Sequence, residues 1–133
     1  MQRLLTTLLC LFATTIFAAP TVTIDSGKIE GETTDAGIRV FRGIPYAAPP
    51  VGDLRWRPPG PAAQWDGVRK ATEFGAICHQ PPTLAMLTGG TLPPASEDCL
   101  FLNVWAPASG TNHPVMVWIH GGGLTLGWSN QSV

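Results

Sequence analysis

Val115-Met116-Val117-Trp118-Ile119 leads directly into His120-Gly121-Gly122-Gly123. Five apolar residues without polar alternation predict a strand from Pro114 to His120, buried on both faces as in a parallel sheet covered by helices. Three glycines at the end of such a strand remove every Cβ, permit positive φ and let peptide N–H groups approach a ligand closely. Two N–H groups aimed at a carbonyl oxygen stabilise the oxyanion of acyl transfer. The tetrapeptide alone leaves an ordinary glycine-rich turn open as the alternative.

Upstream, Leu100 to Trp105 is apolar except for Asn103 and predicts a second strong strand. Ile38-Arg39-Val40-Phe41-Arg42 alternates apolar and basic residues, the pattern of a half-buried strand. Thr21 to Ile24 and Lys28 to Glu30, joined across Ser26-Gly27, read as a small hairpin. Pro45 to Pro61 is too rich in Pro and Gly for a helix, and Tyr46 and Trp56 are expected to pin that coil to a core. Thr72 to Ser96 shows no period and predicts a long Ω-type excursion. A parallel sheet needs crossover helices, and the chain offers no amphipathic helix of ordinary length. The economical expectation is the front end of a larger protein that continues beyond Val133.

Composition narrows the classes. At 133 residues the chain holds one domain at most. A net charge of −1 gives no electrostatic footprint for nucleic acid or an anionic membrane surface. With 44% apolar residues, close to globular usage, the composition argues against wholesale disorder.

The first residues read as a secretory signal, residues 1–18. Arg3 precedes an apolar stretch from Leu4 to Phe17, followed by Ala18, Ala19 and Pro20. The stretch, about 14 residues, is short of the roughly 20 that span a bilayer. The uncleaved-anchor alternative is weaker, so the expectation is a secreted or periplasmic protein without a membrane segment after cleavage. Cys10 leaves with the signal, and an even pair, Cys78 and Cys99, remains. In an exported chain that pair favours a disulfide, closing about 20 residues for about 3 kcal/mol in the loop-entropy account. His79 and His113 lie nearby, but the spacing matches no zinc pattern, and no metal is expected.

Phe41-Arg42-Gly43-Ile44-Pro45-Tyr46-Ala47-Ala48-Pro49-Pro50-Val51-Gly52 and Leu54-Arg55-Trp56-Arg57-Pro58-Pro59 resemble the front of the type-B carboxylesterase and cholinesterase family. Ser96-Glu97-Asp98-Cys99-Leu100-Phe101-Leu102-Asn103-Val104-Trp105-Ala106-Pro107 resembles that family's cysteine signature, and Pro114 to Gly123 follows in the family's order. The resemblance covers about residues 21–130. It implies an α/β-hydrolase fold, class α/β, with residues 19–133 forming its N-terminal strands and a disulfide-closed loop. It also implies a serine acyl-enzyme whose oxyanion hole includes the N–H groups of Gly122 and Gly123, a Cys78–Cys99 disulfide, and a buried ion pair between Arg55 and Glu97.

The implied partner is a small-molecule carboxylic ester, with no cofactor. By the same resemblance the catalytic serine, acid and histidine all lie beyond Val133, so His120 is expected to orient or pack. Trp56, Trp65, Trp105 and Trp118 are expected in the core, while Trp128 is a candidate to line the substrate gorge. Leu124 departs from the aromatic the family usually carries after the glycines. No Gly-x-Ser-x-Gly occurs, so these residues alone are expected to be inactive. Asn130-Gln131-Ser132 fits a glycosylation sequon. Two competing readings are an adhesion-type relative that has lost the nucleophile and a free-standing β-rich binding module. An apolar strand without helical cover argues against the second.

Overall fold

Strands form where short apolar or β-branched runs meet tight turns. The computed structural model describes residues 18–83 and 89–131. β1 (Thr21–Ile24) and β2 (Gly27–Glu30) pair antiparallel, with Thr21 opposite Glu30 and Ile24 opposite Gly27. The two-residue turn is therefore Asp25-Ser26, one position earlier than the expected Ser26-Gly27 junction. β3 (Glu32–Thr33) and β4 (Ile38–Pro45) form a second antiparallel pair. β5 (Val68–Lys70) joins the first sheet parallel to β2, and β6 (Phe101–Pro107) joins the second antiparallel to β4. The result is two three-stranded sheets of order β1-β2-β5 and β3-β4-β6. Ala71 stitches them together: its N–H donates to the Glu30 carbonyl, and its carbonyl accepts from Arg42 N–H, both at 2.7 Å.

The core lies between the sheets. Ile29, Phe41, Ile44 and Ala71 are buried together, with Ile24 and Trp65 packed against them. Val40 is fully buried. Each large apolar side chain taken out of water contributes about 1.5–3 kcal/mol. Trp65 holds its place because its indole N–H donates to the Lys28 carbonyl at 2.9 Å. β4 carries a bulge between Phe41 and Ile44 that lets both face the core. Gly43 makes this possible: its φ is +62°, and a Cβ there would stand 2.6 Å from the Glu73 carbonyl oxygen.

Several expectations are corrected. The run Val115–Ile119 is not a buried strand: its residues are between 71% and 93% exposed and pair with no strand among the described residues. A continuous apolar run needs neighbours on both edges and both faces, and those neighbours are not among the described residues. Trp118 is therefore exposed as well. Trp56 is 96% exposed at φ 61°, and Tyr46 is more than half exposed, so neither pins the Pro-rich coil. Backbone hydrogen bonds hold that coil instead: Ala48 N–H to the Gly60 carbonyl at 3.0 Å, and a 3-10 turn over Gly52–Leu54. Trp105 is half exposed against the Phe74 ring, at 6.5 Å between centroids. The signal expected over residues 1–18 lies outside the described residues except for Ala18. At the other end, Ser132 of the sequon and Val133, the boundary beyond which the catalytic triad is expected, also lie outside the described residues.

Candidate functional site

The Gly-rich segment is shaped by one carbonyl. Gly122 O accepts from Thr125 N–H at 3.1 Å, Leu126 N–H at 3.2 Å and the Thr125 hydroxyl at 3.1 Å. In a trans peptide the C=O and the following N–H point in opposite directions. With the Gly122 carbonyl turned inward to the turn, the N–H of Gly123 faces outward. In the preceding peptide, which carries the Gly122 N–H, the Gly121 carbonyl oxygen lies 2.8 Å from His120 Nδ1. Among the described residues neither Gly122 nor Gly123 donates its N–H to any acceptor. Gly122 has φ +129° and Gly123 φ +60°, both in the left-handed half of backbone space. No Cβ fits at Gly122, where it would collide with the Leu126 carbonyl, whereas at Gly123 the space is open.

Two side chains from other elements grip the far end of this turn. Gln80 receives Gly127 N–H on Oε1 at 2.7 Å and donates Nε2 to the Gly127 carbonyl at 3.1 Å. Asn103, in the middle of β6, accepts from Gly43 N–H at 2.9 Å and donates to Ser129 Oγ at 3.0 Å. This explains the single polar residue in an otherwise apolar strand: it ties the β4 bulge to the segment after the glycines. No motif in the sequence singles out Gln80. Its only signal is its place two residues after Cys78, which a disulfide anchors.

Cys78 and Cys99 are bonded, with Cα atoms 5.0 Å apart. The base of the loop they close is also held by backbone bonds, Ile77 N–H to Pro94 O at 3.0 Å and Ser96 N–H to Ile77 O at 2.9 Å. Arg55 Nε lies 3.1 Å from Glu97 Oε1, but the two side chains are 55% and 41% exposed. The buried pair implied by the family resemblance is thus a surface pair here, worth at most about 1 kcal/mol. Arg42 is the more enclosed arginine. It pairs with Glu32, donates to the Thr72 carbonyl at 3.1 Å and covers the Phe74 ring at 5.1 Å. Trp128 is half-buried beside the turn, and Leu124 is fully exposed. His120 is exposed, with its ring against its own backbone.

Among the described residues no group of three or more His, Cys, Asp or Glu could hold a metal ion, and no helix is long and apolar enough to cross a membrane. What the segment presents is a pair of adjacent peptide N–H groups without an acceptor among the described residues.

Known proteins share this arrangement of chain. The sequence model of the carboxylesterase family matches residues 18–133. A para-nitrobenzyl esterase of Bacillus subtilis (strain 168) is 50% identical over 111 residues, covering 83% of this chain and 22% of that protein. A cocaine esterase of Oryctolagus cuniculus is 46% identical over 130 residues, covering 86% of this chain and 24% of that protein. A solved PNB esterase structure superimposes with a TM-score of 0.77 at 48% identity, over 83% of this chain and 23% of that one. The fold is therefore that of the matching part of an α/β-hydrolase. The chain spans about a quarter of the length of these relatives, and by its matched sequence and fold it belongs to the carboxylesterase family.

Proposed function

We propose that the whole protein hydrolyses small-molecule carboxylic esters through a serine acyl-enzyme, and that this segment supplies two of its oxyanion donors, the N–H groups of Gly122 and Gly123. The observation that carries the reading is a pair of adjacent peptide N–H groups, Gly122 and Gly123, that meet no acceptor among the described residues, the second turned away from the Gly122 carbonyl that the turn holds. A serine hydroxyl gives its proton to the histidine base as its oxygen attacks the acyl carbon, the carbonyl electrons move onto oxygen, and the anion settles between the two N–H groups. As the intermediate collapses the histidine returns that proton to the departing alcohol, leaving an acyl-serine that water, deprotonated by the same histidine, then cleaves. Donors fixed before the reaction need no reorganisation as charge develops, which makes them effective. The serine, the histidine base and its carboxylate partner are assigned to chain beyond Val133, so the segment alone is inactive.

The names of the relatives, para-nitrobenzyl esterase and cocaine esterase, support small carboxylic esters as the substrate class. Leu124, exposed next to Gly123, is proposed to reshape the acyl-pocket wall of the whole enzyme, where the family usually carries an aromatic. Residues 1–18 are proposed as an export signal, which would put the enzyme outside the cytoplasm, where the Cys78–Cys99 bond is stable.

The test is turnover of an aryl ester by the whole protein, with the chain following Val133 read for Gly-x-Ser-x-Gly. Turnover that disappears on replacing that serine is the expected result. A whole protein that carries another residue at that position and binds but does not cleave esters would assign it to the adhesion-type reading.

A further inference from the structure

We propose that Gln80 is a positioning residue for the oxyanion turn, an inference that rests on the donor role proposed for Gly122 and Gly123. The turn closes where Thr125 and Leu126 donate to the Gly122 carbonyl, and Gln80 grips the next residue, Gly127, across 47 residues of sequence. The peptide joining Leu126 to Gly127 has its N–H on Gln80 Oε1 at 2.7 Å. Its carbonyl, pointing the opposite way, lies where a side chain of Gly122 would have to be. Gln80 therefore sets the plane of the peptide that packs directly on the Gly122 backbone. Leu126 N–H completes the link, because it donates to the same Gly122 carbonyl whose peptide carries the Gly123 N–H.

Gln80 is itself held in place. Nε2 donates to the Cys78 carbonyl at 3.2 Å as well as to Gly127 O at 3.1 Å, and Cys78 is anchored by its disulfide. Two carbonyls on one side and an N–H on the other leave a single orientation for the amide. The disulfide loop thus reaches the donor turn through one half-buried amide.

The experiment uses the whole enzyme with Gln80→Met, which keeps length and removes both bonds, and Gln80→Glu, which keeps an acceptor for Gly127 N–H. Steady-state turnover of an aryl ester, the rate of phosphonylation by an aryl phosphonate, the thermal transition and the free-thiol count are measured for each, beside Gly122→Ala. Gln80→Met should lower kcat about tenfold to a hundredfold, the scale of a sub-ångström misplacement of catalytic groups. Phosphonylation should slow in parallel, while KM stays within about twofold, because the donors act mainly on the transition state. Thiol count and thermal transition should stay close to wild type, and Gln80→Glu should retain more kcat than Gln80→Met.

Unchanged kcat in Gln80→Met alongside a crippled Gly122→Ala would overturn the inference and leave the donor reading standing. A collapse of KM, fold and thiol pairing together would overturn it in favour of a purely structural role. Full activity in Gly122→Ala would remove the donor reading and this inference with it.

Discussion

Replacing Gly122 with alanine probes the donor turn at its tightest point. At φ +129° an L-residue is strained, by about 1–3 kcal/mol on general grounds. The added Cβ would also stand 2.6 Å from the carbonyl carbon of Leu126, where ordinary contact begins at 3.4 Å, and would meet its oxygen more closely still. Clearing that oxygen takes a shift of well over an ångström, and the peptides that carry the Gly122 and Gly123 N–H groups lie in the part of the turn that must open. Misplacement on that scale costs on the order of a hundredfold, and losing one oxyanion donor costs about 10²–10³ in kcat. In the whole enzyme, Gly122→Ala should therefore cut kcat for an aryl ester at least about a hundredfold, with a smaller change in KM.

Gly123→Ala is the internal control. Its φ of +60° is the left-handed helical well, and its Cβ would meet nothing within 4 Å, so it carries strain of about 1–2 kcal/mol and no collision. Its loss of turnover should be much the smaller of the two. Steady-state kinetics with a thermal transition on each variant decides the matter. Turnover of Gly122→Ala within about threefold of wild type, in a folded protein, would refute the reasoning, as would equal losses at the two glycines.

Residues 19–133 expressed alone should self-associate, because Val115 to Ile119 present a continuous exposed apolar run, and should cleave no aryl ester, because they hold no Gly-x-Ser-x-Gly serine. Sedimentation and dye binding test this, and a monodisperse monomer with a sharp cooperative transition would contradict it. Replacing Cys78 and Cys99 together with serine in the whole protein should lower stability by about 3 kcal/mol on the loop-entropy account, read from the denaturant midpoint. A change under about 1 kcal/mol would show that the backbone bonds at Ile77 and Ser96 already close the loop. Asn103→Leu should cost about 1–3 kcal/mol, because the Gly43 N–H and the Ser129 hydroxyl both lose their partner. An unchanged midpoint would argue against that tie.

The parts legible in the sequence are those set by local pattern. The alternation of Ile38 to Arg42 and the short hairpin at Thr21–Glu30 need only period and turn chemistry, and both appear as strands. The motifs around Gly43, Cys99 and Gly121–Gly123 point to the family because their residue types are constrained by a bulge, a bridge and a tight turn. Tertiary placement is not legible in the same way. Val115 to Ile119 reads as a buried strand, yet burial belongs to neighbours, and the run alone does not say where they come from. Trp56 looks like an anchor because it is large and apolar, but its backbone at φ 61° leaves it facing solvent. Arg55 and Glu97 meet, but their exposure depends on what else covers them. Gln80 and Gly127 lie 47 residues apart, and a side-chain amide on a glycine backbone leaves no period to read.

The most direct measurement is the structure of the whole protein after reaction with an aryl phosphonate, whose serine adduct mimics the tetrahedral intermediate. The donor assignment predicts the phosphonyl oxygen within about 2.7–3.1 Å of both the Gly122 and the Gly123 nitrogens, the range for working oxyanion donors. An adduct whose oxygen points away from these two N–H groups would contradict it, and so would a protein that forms no adduct at all.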